Sequence, residues 1–328
     1  MSGVAPGRAA AAGRVAPMPA ATLCSGAIPC MVPTPCRDAT PAFPWMGGKQ
    51  WFVEHARSWF PRAGCYVEPF AGAASVLLGL PPSQVEILND RNGDLVHFYR
   101  TMQNPEQRAM LLEKLEWTVY ARDEFERALI MLDDNLVMGV DRAWAFFVVA
   151  NCAFSGGGQN ALTASRFAAS TQRSQGRRLR YHIEGLKGLA DRLGNVVVEN
   201  RDAADLLDRY DSMDTLFFLD PPYHPGTRNV RSEKDRGQYA GGEMTVEDHQ
   251  SLIEKCVSLD GMVAICGYAH DDYDGPLSAA GWETIRYGRK ALSSLHSDGE
   301  RAVRDERVWI NAALTRRKKK QCDLFDGN

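Results

Sequence analysis

The feature that most narrows the fold is an apolar run that stops abruptly. Thr215-Leu216-Phe217-Phe218-Leu219 has strand composition, and Asp220-Pro221-Pro222-Tyr223 follows it at once. Two successive prolines cannot extend a hydrogen-bonded ladder, so the strand ends at the tetrad. It projects a carboxylate, a proline carbonyl and an aromatic face at the carboxyl edge of a sheet, where open α/β sheets bind ligands.

The rest of the chain supplies such a sheet. Segment 49–60 has helical spacing. Residues 65–69 form a short strand, then a turn holding Gly72, an apolar helix to Leu80 and a second strand ending at Asp90. Helices are expected at 105–116, 121–134, 140–153, 182–193 and 245–258. Further strands are expected at 195–199, 262–266, 282–287 and 307–313. This alternation predicts an α/β, doubly wound, mainly parallel Rossmann-like sheet. Between Ser155 and Arg180 the pattern dissolves into Gly156, Gly157, Gly158 and the arginines 166, 173, 177, 178 and 180.

Composition sets limits. With 328 residues, 45% hydrophobic and 24% charged, the chain holds one large domain with an insertion or two modest ones. A net charge of -3 gives no global basic signature, so a nucleic-acid partner would be held by local basic patches. Eight cysteines include no CxxC pair, which argues for a reducing compartment and against a zinc site. No run is long and apolar enough for a membrane span. Residues 1–40 are Ala/Pro/Gly-rich, and prolines 17, 19 and 29 with Gly26 break any signal-peptide core, so a disordered head is expected, with Met18 or Met31 as alternative starts.

The tetrad suits one kind of chemistry. An exocyclic amine on a heteroaromatic ring is a poor nucleophile because its lone pair is delocalised. Acceptors on both its hydrogens favour the pyramidal geometry that localises that pair. Asp220 and the Pro221 carbonyl can be those acceptors, and Tyr223 can stack on the ring. Two further segments bear on a ligand. In Glu68-Pro69-Phe70-Ala71-Gly72 small residues let a ligand approach the backbone, and Asp90 follows at the offset of a ribose-binding acid. The turn is not GxGxxG, which disfavours NAD. In Pro44-Trp45-Met46-Gly47-Gly48-Lys49, Lys49 can meet a carboxylate and Trp45 can cover an apolar or cationic group. Alone, that segment reads better as an entry turn.

The order PWMGGK, VEPFAGAAS, Asp90 and DPPY resembles the Dam-type DNA adenine-N6 methyltransferases over residues 43–315. The resemblance implies S-adenosyl-L-methionine as methyl donor, no metal, and double-stranded DNA as substrate with the target adenine flipped out. Trp45, Lys49, Glu68, Phe70, Gly72, Asp90 and Asp220 would hold the cofactor, and Asp220, Pro221 and Tyr223 would carry catalysis. Asp202 would contact the cofactor adenine or simply cap the helix after it. A cytosine-C5 enzyme would need a Pro-Cys nucleophile after the first motif, whereas Pro29-Cys30 and Pro35-Cys36 lie before it. The implied plan is a catalytic domain at 41–119 and 195–315 and a helical and loop target-recognition insertion at 120–194. Its segment 151–156 resembles the start of the family's recognition hairpin, and its arginines would contact DNA. A basic tail fills 316–328, where Gln321–Phe325 resembles the peptide that docks bacterial proteins on the sliding clamp. The arginine-rich loop 224–244 could close over DNA, while His224, Tyr239 and His270 receive no role. The resemblance further implies a cytoplasmic monomer of bacterial or phage origin. The alternatives are another amine on the same fold (cytosine-N4, an RNA base or protein glutamine) and a catalytically silent DNA-binding relative.

Overall fold

The computed structural model describes residues 39–154, 166–227, 243–295 and 301–326, with the backbone alone at 287–295, 301–304 and 321–326. The strands are β1 (Cys65–Glu68), β2 (Val85–Asn89), β3 (Val196–Glu199), β4 (Thr215–Leu219), β5 (Met262–Tyr268), β6 (Glu283–Leu295) and β7 (Arg301–Ile310). They form one sheet in the order β3-β2-β1-β4-β5-β7-β6. The first five are parallel, and β7 runs antiparallel between β5 and β6. The doubly wound, mainly parallel sheet expected from the sequence is therefore present. The chain enters at β1, works outward to β3, then returns to lay β4 on the other side of β1. That reversal leaves a crevice at the carboxyl ends of β1 and β4.

Eleven helices are described: α1 (Val53–Trp59), α2 (Ser75–Gly79), α3 (Gly93–Gln103), α4 (Pro105–Glu116), α5 (Arg122–Asp133), α6 (Gly139–Cys152), α7 (Gln175–Leu193), α8 (Ala203–Tyr210), α9 (Val246–Val257), α10 (Asp271–Ala279) and α11 (Ala312–Asp326). The strand residues divide by parity between two cores, because successive side chains point to opposite faces. Tyr66, Leu216 and Phe218 pack with α2, α3, α6 and α7. Val67, Phe217 and Leu219 pack with Leu206 and Leu207 of α8 and with Leu252 and Ile253 of α9. Helices thus cover both faces, which is why β4 is buried throughout.

Segment 120–194 is continuous with the first of these cores. Every residue of α6 from Ala143 to Cys152 is buried, and Phe147 stacks on Phe98 of α3 with centroids 5.9 Å apart. At the end of α7, Arg192 is buried and clamps Glu86 of β2 with both terminal nitrogens, one of them also reaching the Leu77 carbonyl at 2.9 Å.

Several helices exceed the sequence expectation. α3 was not expected, although Asn92 caps it by accepting from the Asp94 and Leu95 amides. α7 begins at Gln175 rather than near 182, because Ser174 caps it and its polar first turns bury only Leu179. α10 was missed because it carries Gly275 and Pro276 internally. Residues 316–326 of the basic tail lie in α11. Leu314 is buried there, Arg317 meets Asp214 at 3.1 Å, and the Lys318 ammonium lies 5.0 Å from the Trp59 ring centroid. Residues 1–38 of the expected disordered head, the glycine triplet 156–158, the arginines of the 228–242 loop with Tyr239, and the Gln321–Phe325 side chains lie outside the described residues. No helix among the described residues is long and apolar enough to cross a membrane.

Candidate active site

The tetrad sits where the crevice predicts. Asp220 leaves β4, and its carboxylate meets the Lys49 ammonium at 2.6 and 2.7 Å through its two oxygens. Lys49 also donates to the Gly47 carbonyl at 2.8 Å, so its ammonium is held by that carbonyl and by Asp220. The turn that delivers it needs Gly47, whose φ is +74°. Lys49 is only 3% exposed. Burial opposes its charge, but Asp220 foremost, then the neighbouring Cys266 and Glu306, outweigh burial and raise its pKa. Lys49 therefore acts first on Asp220, a pairing across 171 residues that sequence reading did not specify.

Glu68 closes β1 below Asp220. Its Oε1 accepts from the Tyr66 hydroxyl at 2.8 Å and from the Leu77 amide at 2.7 Å, which ties β1 to the first turn of α2. Burial pushes its carboxyl up to about 8, against the pull of those two donors. Gly72 follows, with φ of +46°. A Cβ there would lie 2.5 Å from Nε1 of Trp45, so the indole rests directly on the glycine. The Gly72 carbonyl accepts from the Tyr99 hydroxyl at 2.6 Å, and its amide donates to Asp90 Oδ2 at 3.0 Å. Asp90 Oδ1 accepts from the Asn92 amide at 2.9 Å. Burial raises the Asp90 pKa despite these donors.

Asn89, which the sequence reading passed over, laces the strand ends together. Its side-chain amide donates to the Pro69 and Arg201 carbonyls at 2.9 and 3.1 Å and accepts from the Arg201 amide at 2.8 Å. Asp202 both caps α8, accepting from the Ala204 amide at 2.9 Å, and approaches Arg91 at 4.0 Å.

Tyr223 is held from two sides. Its hydroxyl donates to Glu306 of β7 at 2.8 Å, and its ring meets Tyr268 edge-on at 4.4 Å. The Lys49 ammonium lies 5.0 Å from the ring centroid. Burial first, then the charges of Asp220 and Glu306, lift its pKa well above the ordinary tyrosine value. Beyond it, His224 and His270 do have partners. The His224 ring stacks on His270 at 3.7 Å with a 29° tilt. His224 Nδ1 accepts from the Gly226 amide at 3.1 Å, its Nε2 faces Asp272 at 3.0 Å, and His270 caps α10 by accepting from the Asp272 amide at 3.2 Å. The trio clips the tetrad segment to the β5–α10 turn, and one ligand atom of each residue lies within 4.8 Å of the others.

One cleft is lined by every residue selected from the sequence: Trp45, Lys49, Glu68, Phe70, Gly72, Asp90, Asp220, Pro221 and Tyr223. Met244, Asp248 and Ser251 join them around the start of α9 and carried no sequence signal. Along the walls Asp90, Asp202, Asp220 and Asp248 outnumber Lys49 and Arg91, while Glu68 is an acid that burial holds protonated up to about pH 8.

A sequence profile of the D12 class N6 adenine-specific DNA methyltransferases matches residues 45–264, from Trp45 through the tetrad into β5. The chain belongs to this family. The DNA adenine methylase of Vibrio cholerae is 27% identical over 224 residues, covering 64% of this chain and 73% of that protein. The DNA N-6-adenine-methyltransferase of Escherichia phage P1 is 24% identical over 214 residues, 64% of this chain and 27% of that protein. Among solved structures, precorrin 8w decarboxylase of Methanobacterium thermoautotrophicum overlays with a TM-score of 0.34 at 11% identity, covering 85% of this chain and 98% of that one. The fold is defined by the strand order β3-β2-β1-β4-β5-β7-β6.

Within the family's DNA-modifying frame, the arginines of the Gly/Arg segment divide. Arg178 donates to the Asn151 carbonyl at 3.1 Å, and Arg180 to the Glu116 and Thr118 carbonyls at 2.8 and 2.9 Å. Both serve the carboxyl ends of helices, a structural use the sequence reading did not anticipate. Arg166, Arg173 and Arg177 are exposed. An antiparallel bridge between Ala153 and Phe167 closes the base of the segment that begins at Asn151.

Proposed function

We propose that this methyltransferase moves a methyl group from S-adenosylmethionine to N6 of an adenine in double-stranded DNA, in line and in one step. The observation that carries the reading is the convergence of all the candidate residues on one cleft at the sheet reversal, with Asp220 at its head. S-adenosylmethionine would supply an electrophilic methyl group on a sulfonium. The cleft's residues fit such a donor. The Asp90 carboxylate accepts the backbone N–H groups of Gly72, Asn92 and Arg91, which hold it in place with acceptor capacity left for a ribose hydroxyl. Phe70 and the small residues around Gly72 offer an apolar surface, and the acidic walls offset a cation.

The protein's part is positioning and polar stabilisation. Asp220 accepts one hydrogen of the target amine and the Pro221 carbonyl the other, which localises the lone pair. Lys49 pairs with the Asp220 carboxylate at 2.6 and 2.7 Å and aims it. Tyr223 offers its ring to the base. A base inside a duplex cannot reach the end of a buried strand, so the adenine is turned out into the cleft. We assign catalysis to 41–119 and 195–315 and target reading to 120–194, where the exposed Arg166, Arg173 and Arg177 would meet phosphates or guanines.

Labelled S-adenosylmethionine offered with DNA, RNA and protein tests the reading. Label in DNA as N6-methyladenine is expected, and label in RNA or protein but not in DNA would overturn it. Asp220→Ala should lower turnover by at least about a thousandfold while DNA binding persists. Wild-type turnover in that variant would overturn the proposed chemistry.

A further inference from the structure

Glu306 lies outside the segment matched by the family profile, yet it reaches the tetrad. It sits on β7 opposite Tyr268 of β5 and Gly288 of β6, and only 5% of it is exposed. A carboxylate at so buried a strand position is costly unless polar partners meet it. Here they include the Tyr223 hydroxyl at 2.8 Å and the Lys49 ammonium at 4.0 Å. Tyr223 keeps its proton well past the ordinary tyrosine range, so it remains a donor throughout the working range of pH.

The geometry has a specific mechanical meaning. A tyrosine hydroxyl lies on the axis about which its ring turns. A hydrogen bond to it fixes where that axis points, but not the rotation about it. Tyr268, edge-on at 4.4 Å, limits the rotation. The two constraints come from paired positions on adjacent strands, because Glu306 and Tyr268 face each other in the β5–β7 register.

We infer that Glu306 is a positioning residue for methyl transfer, acting through the Tyr223 hydroxyl to hold the ring against which the target base stacks. The inference rests on the reading of the cleft proposed above. Without the acceptor, the ring axis swings and the base is presented off line. An ångström-scale misplacement of this kind lowers the rate of the positioned step far more than it weakens donor binding. Glu306→Ala should lower kcat by about tenfold or more with the KM for S-adenosylmethionine within about twofold of wild type. Glu306→Gln, which keeps an oxygen to accept the phenol hydrogen, should recover to within about threefold of wild type.

A double-mutant cycle with Tyr223→Phe decides whether the effect passes through the hydroxyl. The Tyr223→Phe and Glu306→Ala losses are expected to be non-additive, with the double variant no slower than the worse single one. Thermal melting of each variant checks that it is folded. Multiplying losses in the double variant, or Glu306→Gln as slow as Glu306→Ala in folded protein, would overturn the inference. A wild-type protein unable to transfer methyl groups at all would instead sink the parent reading.

Discussion

Glu68 makes the stability of this enzyme depend on pH in a direction opposite to that of most carboxylates. Its ordinary value of 4.5 is displaced to about 8 in the folded chain, chiefly by burial. Because the folded value lies above the unfolded one, the folded state holds a proton that the unfolded state has already released. The stabilisation is complete below about pH 4.5 and is lost as pH rises through about 8. At ~1.4 kcal/mol per unit, the displacement corresponds to roughly 3–5 kcal/mol across that window. Glu68→Gln is the matching perturbation. Its amide oxygen still accepts from Tyr66 and Leu77, but it has no proton to lose. Urea unfolding followed by tryptophan fluorescence at about pH 5, 6.5 and 8 measures the difference directly. Every other titrating group is common to the two proteins and cancels. Wild type should lose stability relative to Glu68→Gln as pH rises, by about 2 kcal/mol or more between the first and last points. Parallel curves would refute the reasoning, because burial would then not be holding a proton on Glu68.

Other consequences are as direct. Arg192→Ala leaves Glu86 buried without its guanidinium and should destabilise the fold by about 3–5 kcal/mol in the same unfolding assay. Gly72→Ala places a methyl group 2.5 Å from Trp45 Nε1 at a positive φ, so donor affinity measured by calorimetry should fall about tenfold or more as the indole is displaced. Leu324→Ala with Phe325→Ala should abolish capture of the full chain by immobilised bacterial sliding clamp, and unchanged capture would end the idea that Gln321–Phe325 is a clamp peptide.

What was legible in the sequence was local. β4 and its stop, β1 with the Gly72 turn, and β2 with Asp90 each carry their signal within a few residues, and the structure brings their ends together. What was illegible depends on pairing at a distance. Glu306 lies 83 residues beyond Tyr223 and meets it only because β7 reverses direction beside β5. Arg178 and Arg180 looked like contacts for a ligand because their basic character is visible in sequence while the carbonyls they serve are not. His224 and His270 were passed over for the same reason, since neither has a neighbour in sequence that announces the stack. α3 was a different kind of miss: Leu95, Phe98, Tyr99 and Met102 repeat with helical period, and all are buried.

The Leu77 amide, an otherwise open donor in the first turn of α2, is taken by Glu68. In folds that bind nucleotide phosphates, donors of that kind and the positive end of the helix are turned toward the anion. Here the corresponding place is filled by the protein's own buried carboxyl, and the walls around it are acidic. A polyphosphate nucleotide or dinucleotide would find the Leu77 amide already taken and would face Asp90, Asp202, Asp220 and Asp248 along the walls. A cell holds such anions in abundance, and they share the adenosine of S-adenosylmethionine, so a cleft of this charge would favour the sulfonium donor proposed above over them.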